Sequence, residues 1–220
     1  MDLVNGIFKK LRMPPINQVI LIIIFAEFIF TIGAALIGPL VAIFITKDVG
    51  APVTVVGFAV ATYWIVKSIL QLPVARYLDR NHGEIDDYYS VLIGLVIVTA
   101  AVYLYYFVQT AWHIYALQFF IGIGDALVVP AFQAIFARHL DKDQEAFEMA
   151  LRSSFSYGVS SAIGGALSGI LAMTVGIRPI YIINGTLLLI GLFILFFLRP
   201  YVRPRVPKDM MEVYMPQKKT

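Results

Sequence analysis

The chain has 220 residues, 60% of them hydrophobic and only 14% charged, with a formal net charge of +3. Soluble globular domains are apolar over nearer half of their residues and charged over nearer a quarter, so composition excludes a water-soluble fold and predicts an integral membrane protein. With no cysteine, disulfides and thiolate metal sites are excluded; His82, His113 and His139 lack ligand spacing, and neither a metal nor any other cofactor is expected.

An N-terminal segment, 1–18, precedes a first predicted span over 19–45. That span is not a signal peptide, because apolar runs recur to the end of the chain and no small-residue cleavage pattern follows it. It holds Glu27 in its interior, with Thr31, Ala34 and Gly38 on the same helical face. The breakers in "TKDVGAP" end it, and a second span over 53–75 places Tyr63, Trp64, Lys67 and Gln71 on one face. The stretch "PVARYLDRNHGEIDD", 73–87, then interrupts the apolar pattern with a short charged turn. A third span, 89–108, is uncharged and ends among Tyr103, Tyr105, Tyr106 and Phe107, which with Trp112 form an aromatic belt. The fourth, 112–137, aligns Gln118, Gly122, Asp125 and Gln133. The mixed charges of "RHLDKDQEAFEMALR" then predict a solvated helix end or turn. In the fifth span, 153–175, Tyr157, Ser160, Ser161, Gly164 and Ser168 read as cavity lining, while Ser161, Gly165 and Gly169 read equally well as a close-packing stripe. An uncharged sixth span, 180–198, leads into a basic tail, 199–220. Each run is near the roughly 20 residues a membrane helix needs, and apolar residues do not alternate as they would in transmembrane strands. The expectation is an all-α domain over 19–198 with six membrane helices.

Basic residues set the orientation. Placing the termini with the second and fourth connections on one side gathers Arg76, Arg80, Arg138, Lys142, Arg152 and the basic residues of both terminal segments there, leaving Lys47 and Arg178 opposite. The positive-inside rule puts that first side, with both termini, in the cytoplasm, as a multi-pass protein of the cell (inner) membrane. Topology accounts for the positive charge, and no nucleic-acid partner is expected.

The turn after the second span resembles the G-x-x-x-D-R-x-G-R-R turn of the major facilitator superfamily. Ala75, Asp79, Arg80 and Gly83 match it, with alanine for the first glycine and one extra residue before Gly83; Glu84, Asp86 and Asp87 stand where basic residues often follow. "QFFIGIGDALVVPAFQAIFARH" is similar to the family's fourth helix through Gly122, Gly124 and Pro130, and "YGVSSAIGGALSGIL" to its Gly-rich fifth helix, without the Gly-Pro pair of drug antiporters. The resemblance covers nearly the whole chain but only one six-helix half of a usual transporter, as in half-length bacterial proteins of this type.

Three charged residues, Glu27, Lys67 and Asp125, lie inside apolar spans at a shared depth, about 12 to 18 Å from the cytoplasmic ends. Charges there cost at least about 2.5 kcal/mol each, so they are expected to face a polar cavity or one another, with a structural Glu27–Lys67 pair as one reading. The resemblance implies a secondary transporter of a small solute working by alternating access. Tyr63, Trp64, Gln71, Gln118 and Gln133 suit a polar, sugar-like solute, with Thr31, Tyr157, Ser160 and Ser161 as further cavity candidates. Glu27 is the expected proton-coupling residue, with Asp125 the alternative. The resemblance also implies that Arg76, Asp79, Arg80 and Gly83 form a gating turn, and that the third and sixth helices face lipid while the others surround the cavity. One half lines one wall of a cavity, so a parallel two-fold homodimer is expected within the lipid bilayer. No Ser-His-Asp set can be placed at one depth, so no enzyme is expected. A non-transporting membrane scaffold or assembly subunit, or an efflux carrier for drugs and amphiphiles, are the rival readings.

Overall fold

The computed structural model describes residues 15–80 and 83–202. Most of the expected N-terminal segment, His82 and the basic tail from 203 onward lie outside the described residues. Six helices are long and apolar enough to cross a membrane: α1 (Gln18–Asp48), α2 (Thr54–Asp79), α3 (Ile85–Phe107), α4 (Ala111–Arg138), α5 (Glu145–Val175) and α6 (Ile177–Tyr201). Among the described residues there is no strand.

Local chemistry explains where these helices begin, bend and stop. Asn17 caps α1 by accepting the Val19 N–H at 2.9 Å. Gly38 and Pro39 interrupt its regular winding with a tighter turn, because proline supplies no N–H to the ladder. Pro73 and Pro130 sit within α2 and α4, as membrane helices tolerate. Gly176, at φ 83°, makes the reversal from α5 to α6 in a conformation that a side chain would strain. α5 starts at Glu145 rather than at 153, so the mixed-charge stretch ends as the helix's largely exposed first turns, with Glu148 turned inward. Glu148 is fully buried and accepts the Asp141 N–H at 3.0 Å, which satisfies part of its charge inside the fold.

The helices pack as two trios. α4 lies against α2 and α3, α1 lies against α5 and α6, and α3 meets α6 across the middle. Exchanging α1 with α4, α2 with α5 and α3 with α6 preserves these principal contacts, the signature of a nested 3+3 inverted repeat. Glycine sets the closest approach in both trios. A Cβ on Gly164 of α5 would come 2.6 Å from the Ile32 carbonyl oxygen of α1, and one on Gly122 of α4 would come 2.9 Å from that of Tyr63 in α2.

Two apolar cores form, one at each end. Ile20, Ile23, Tyr88, Phe136 and Leu195 belong to the core at the end where the described chain starts and finishes; there Tyr201 donates to the Gln18 side chain. Leu36, Phe44, Tyr105, Ile114 and Tyr181 belong to the core at the far end, where the Tyr105 and Tyr181 rings stack at 4.8 Å. Burying these aliphatic and aromatic side chains against one another leaves a cavity between the cores. At the far end Arg178 donates to the Tyr106 carbonyl at 2.9 Å.

Candidate functional site

The cavity has a volume of about 400 Å³ and is walled by α1, α3, α4, α5 and α6. Its walls are mainly apolar, with Phe30, Val98, Val102 and Leu188 on one side, and its charged lining residues are Glu27, Asp125 and Arg152.

Each carboxylate is held by a cation and a tyrosine. Glu27 on α1 receives both Arg152 Nε, at 2.7 Å, and Arg152 Nη2 from α5, and Tyr157 Oη donates to Glu27 Oε1 at 3.1 Å. A two-point guanidinium–carboxylate contact fixes direction as well as distance, which an ammonium does not. The Arg152 guanidinium also lies over the Phe136 ring at 4.5 Å. Asp125 on α4 accepts from Tyr63 Oη of α2 at 2.5 Å; Lys67 donates to that same hydroxyl at 2.9 Å and stands 3.7 Å from Asp125. Lys67 Nζ also faces the Trp64 ring at 5.0 Å. The helix pair α1/α5 becomes α4/α2 under the exchange of repeats, so acid, cation and tyrosine recur on equivalent helices.

Winding brings the first set together. Arg152 and Tyr157 are five residues apart, and on an α-helix they would diverge by about 140°. Residues Arg152–Val159 instead form a π-helical segment, whose i→i+5 hydrogen bonds bring residues five apart onto one face. Ser156, fully buried in this segment, ties it to α1 by donating to the Ile24 carbonyl at 3.0 Å.

A Glu27–Lys67 pair, one reading of the sequence, is not formed. Glu27 takes Arg152 and Lys67 takes Asp125, because α1 packs on α5 and α2 on α4. Arg152, read in the sequence as part of the solvated connection, is a cavity residue. The cavity gathers Thr31, Gln133 and Tyr157 with Glu27 and Asp125, while Tyr63 and Lys67 reach it through Asp125. Gln71, Gln118, Ser160 and Ser161 do not line it, and Trp64 is 55% exposed. Ser160 is buried in the α5 helix and donates to the Ser156 carbonyl. α3 and α6 contribute Leu95, Val98, Val102, Asn184 and Leu188 to this cavity, so they do more than face lipid. Their outer faces, through Ile93, Val96, Ile190 and Phe193, remain exposed.

At the charged turn, Arg76, Asp79 and Arg80 are exposed and form no ion pair among the described residues, and Gly83 is half-buried. Two of the acids that follow, Asp87 and Glu84, are engaged. Asp87, fully buried at the start of α3, pairs with Arg138 at the end of α4, and Glu84 lies 3.5 Å from His139.

The fold is similar to that in the in meso crystal structure of the POT family transporter PepTSo, with a TM-score of 0.65 at 16% identity. The match covers 88% of this chain and 39% of that one, so the chain spans well under half the length of that protein. No curated protein matches it. Residues 23–216 match the Major Facilitator Superfamily, and the chain is a multi-pass membrane protein belonging to that family.

Proposed function

We propose that the protein is a secondary transporter of a small polar solute, built from two copies of this six-helix unit and driven by protons. The observation that carries the reading is the pair of acid–cation–tyrosine sets on equivalent helix pairs, opening on one cavity between two apolar ends. Membrane-embedded charges are costly and mark solute or ion pathways; a scaffold has no need of them. Glu27 is the proposed coupling carboxylate. Arg152 and Tyr157 of α5 hold this carboxylate of α1, so its role is tied to the α1/α5 seam.

Assembly as a two-fold dimer is supported by what one copy leaves uncovered. In the most apolar stretch of each helix, 11% of α2 and 17% of α5 is buried, against 39% or 44% in the other four. Ser161 and Gly169 are exposed on α5, with Gly165 half-buried between them, a small-residue face that suits close helix packing. Trp64 and Asp79, the latter in no ion pair among the described residues, are exposed on the sparsely covered α2. Orientation with both termini in the cytoplasm follows the distribution of basic residues.

The test is uptake of radiolabelled sugars and other small polar solutes by protein reconstituted in liposomes, with and without an imposed pH gradient. Accumulation driven by the gradient is expected in the wild type. Glu27→Gln should abolish accumulation and keep exchange of solute down its own gradient. Uphill accumulation by that variant, with its loss in Asp125→Asn, would move the coupling role to Asp125.

A further inference from the structure

The charged groups lining the cavity are all partnered: Glu27 with Arg152 and Tyr157, Asp125 with Tyr63 and Lys67. Asn184, on α6, is not. It lines the same cavity, is 6% exposed, and its Oδ1, packed against α1 at Gly33, has no hydrogen-bond partner among the described residues. A buried amide left unpaired is less favourable than an apolar side chain of similar size, so an asparagine serving only to pack here would do worse than leucine.

Its position is built by its neighbours. The amide lies against the α1 main chain at Gly33, where a Cβ would collide with Oδ1, so glycine is what leaves it room. Phe30 and Leu188 beside Val98 and Val102 form the apolar wall of that side of the cavity and offer no hydrogen bond. Thr31 and Gln133 are further neutral polar groups in the lining. Unmet hydrogen-bonding capacity in this cavity therefore belongs to neutral groups, while its charges satisfy one another.

We propose that Asn184 is a solute-binding residue. Its amide hydrogen-bonds a hydroxyl or carbonyl of a neutral solute whose apolar portion rests on Phe30, Val98, Val102 and Leu188. This rests on the transport reading and narrows its solute class to neutral molecules with one polar and one apolar side, setting aside zwitterions and organic cations.

The chain has no cysteine, so single thiols can be placed without background. Asn184→Cys should react with a hydrophilic methanethiosulfonate in liposomes, and phenyl β-D-glucoside should slow the reaction. Leu189→Cys, at a position 46% exposed but outside the cavity, should react far more slowly because it meets lipid. In the purified protein, thermal-shift titration should give phenyl β-D-glucoside an affinity about three- to tenfold weaker in Asn184→Leu than in the wild type, with partial recovery in Asn184→Thr. Labelling no faster than at 189, absence of protection by the glucoside, unchanged affinity in Asn184→Leu, or stabilisation by tetraphenylphosphonium in place of the glucoside would each overturn the proposal. Transport by the wild type together with any of these results would leave the transport reading standing. Glucoside binding lost in Asn184→Leu, with no transport by the wild type, would sink the transport reading alone.

Discussion

Arg152 and Glu27 form a partly water-excluded contact in which each charge is tolerated because of the other. Breaking such a pair from one side leaves a buried charge alone and costs about 3–5 kcal/mol, whereas replacing both sides with neutral groups costs far less. Arg152→Met should therefore lower unfolding stability in detergent by that amount, and adding Glu27→Gln should restore most of it; equal stability of single and double variants would mean the contact is energetically idle. The sequence carries Glu27 as an expensive residue in an apolar run, and likewise Lys67 and Asp125. It does not carry their partners. Arg152 follows a stretch of mixed charge that reads as solvent-facing, and the winding that turns Arg152 and Tyr157 to one face leaves no mark in composition. Tyr63, which joins Lys67 to Asp125, is separated from Asp125 by 62 positions that only the packing of α2 on α4 closes. Asn184, uncharged within an otherwise apolar run, gives only a weak signal. That signal is the single amide in "YIINGTLLLIG".

At the scale of the helix, α5 carries two overlapping stripes of small residues one position apart, at 160, 164 and 168 and at 161, 165 and 169. Side-chain spacing alone cannot choose between faces separated by about 100°. The fold chooses the first: Ser160, Gly164 and Ser168 are buried, while a Cβ on Gly165 or Gly169 meets nothing within 4 Å. Gly164→Val should destabilise the protein by about 1–3 kcal/mol or more, because the nearest atoms include the α1 main chain and cannot step aside. Gly165→Val should leave the stability of a single copy unchanged and weaken association of two. Unfolding curves and detergent-resistant dimer content measure the two effects separately; equal destabilisation by both substitutions would contradict the packing of α5 on α1.

For the molecule as a whole, six spans, their order and their apolar class were readable because each run alone satisfies the length a bilayer demands. Their ends were less so, since capping and ion pairing let charged residues such as Glu148 and Arg152 enter a helix that hydropathy stops short of. The relation between the two trios is carried by packing and not by visible repetition of residues. It explains why one copy presents acid, cation and tyrosine twice and why α2 and α5 remain the least covered helices. The proposed assembly predicts that two copies share one transport cycle. The direct measurement is co-reconstitution of wild-type protein with the coupling-dead Glu27→Gln variant at varied ratios, following proton-driven solute accumulation. If both copies of a dimer must couple, accumulation falls with the square of the wild-type fraction, to about a quarter at equal mixing. A linear fall, to about half, would contradict the account by showing that each copy works alone.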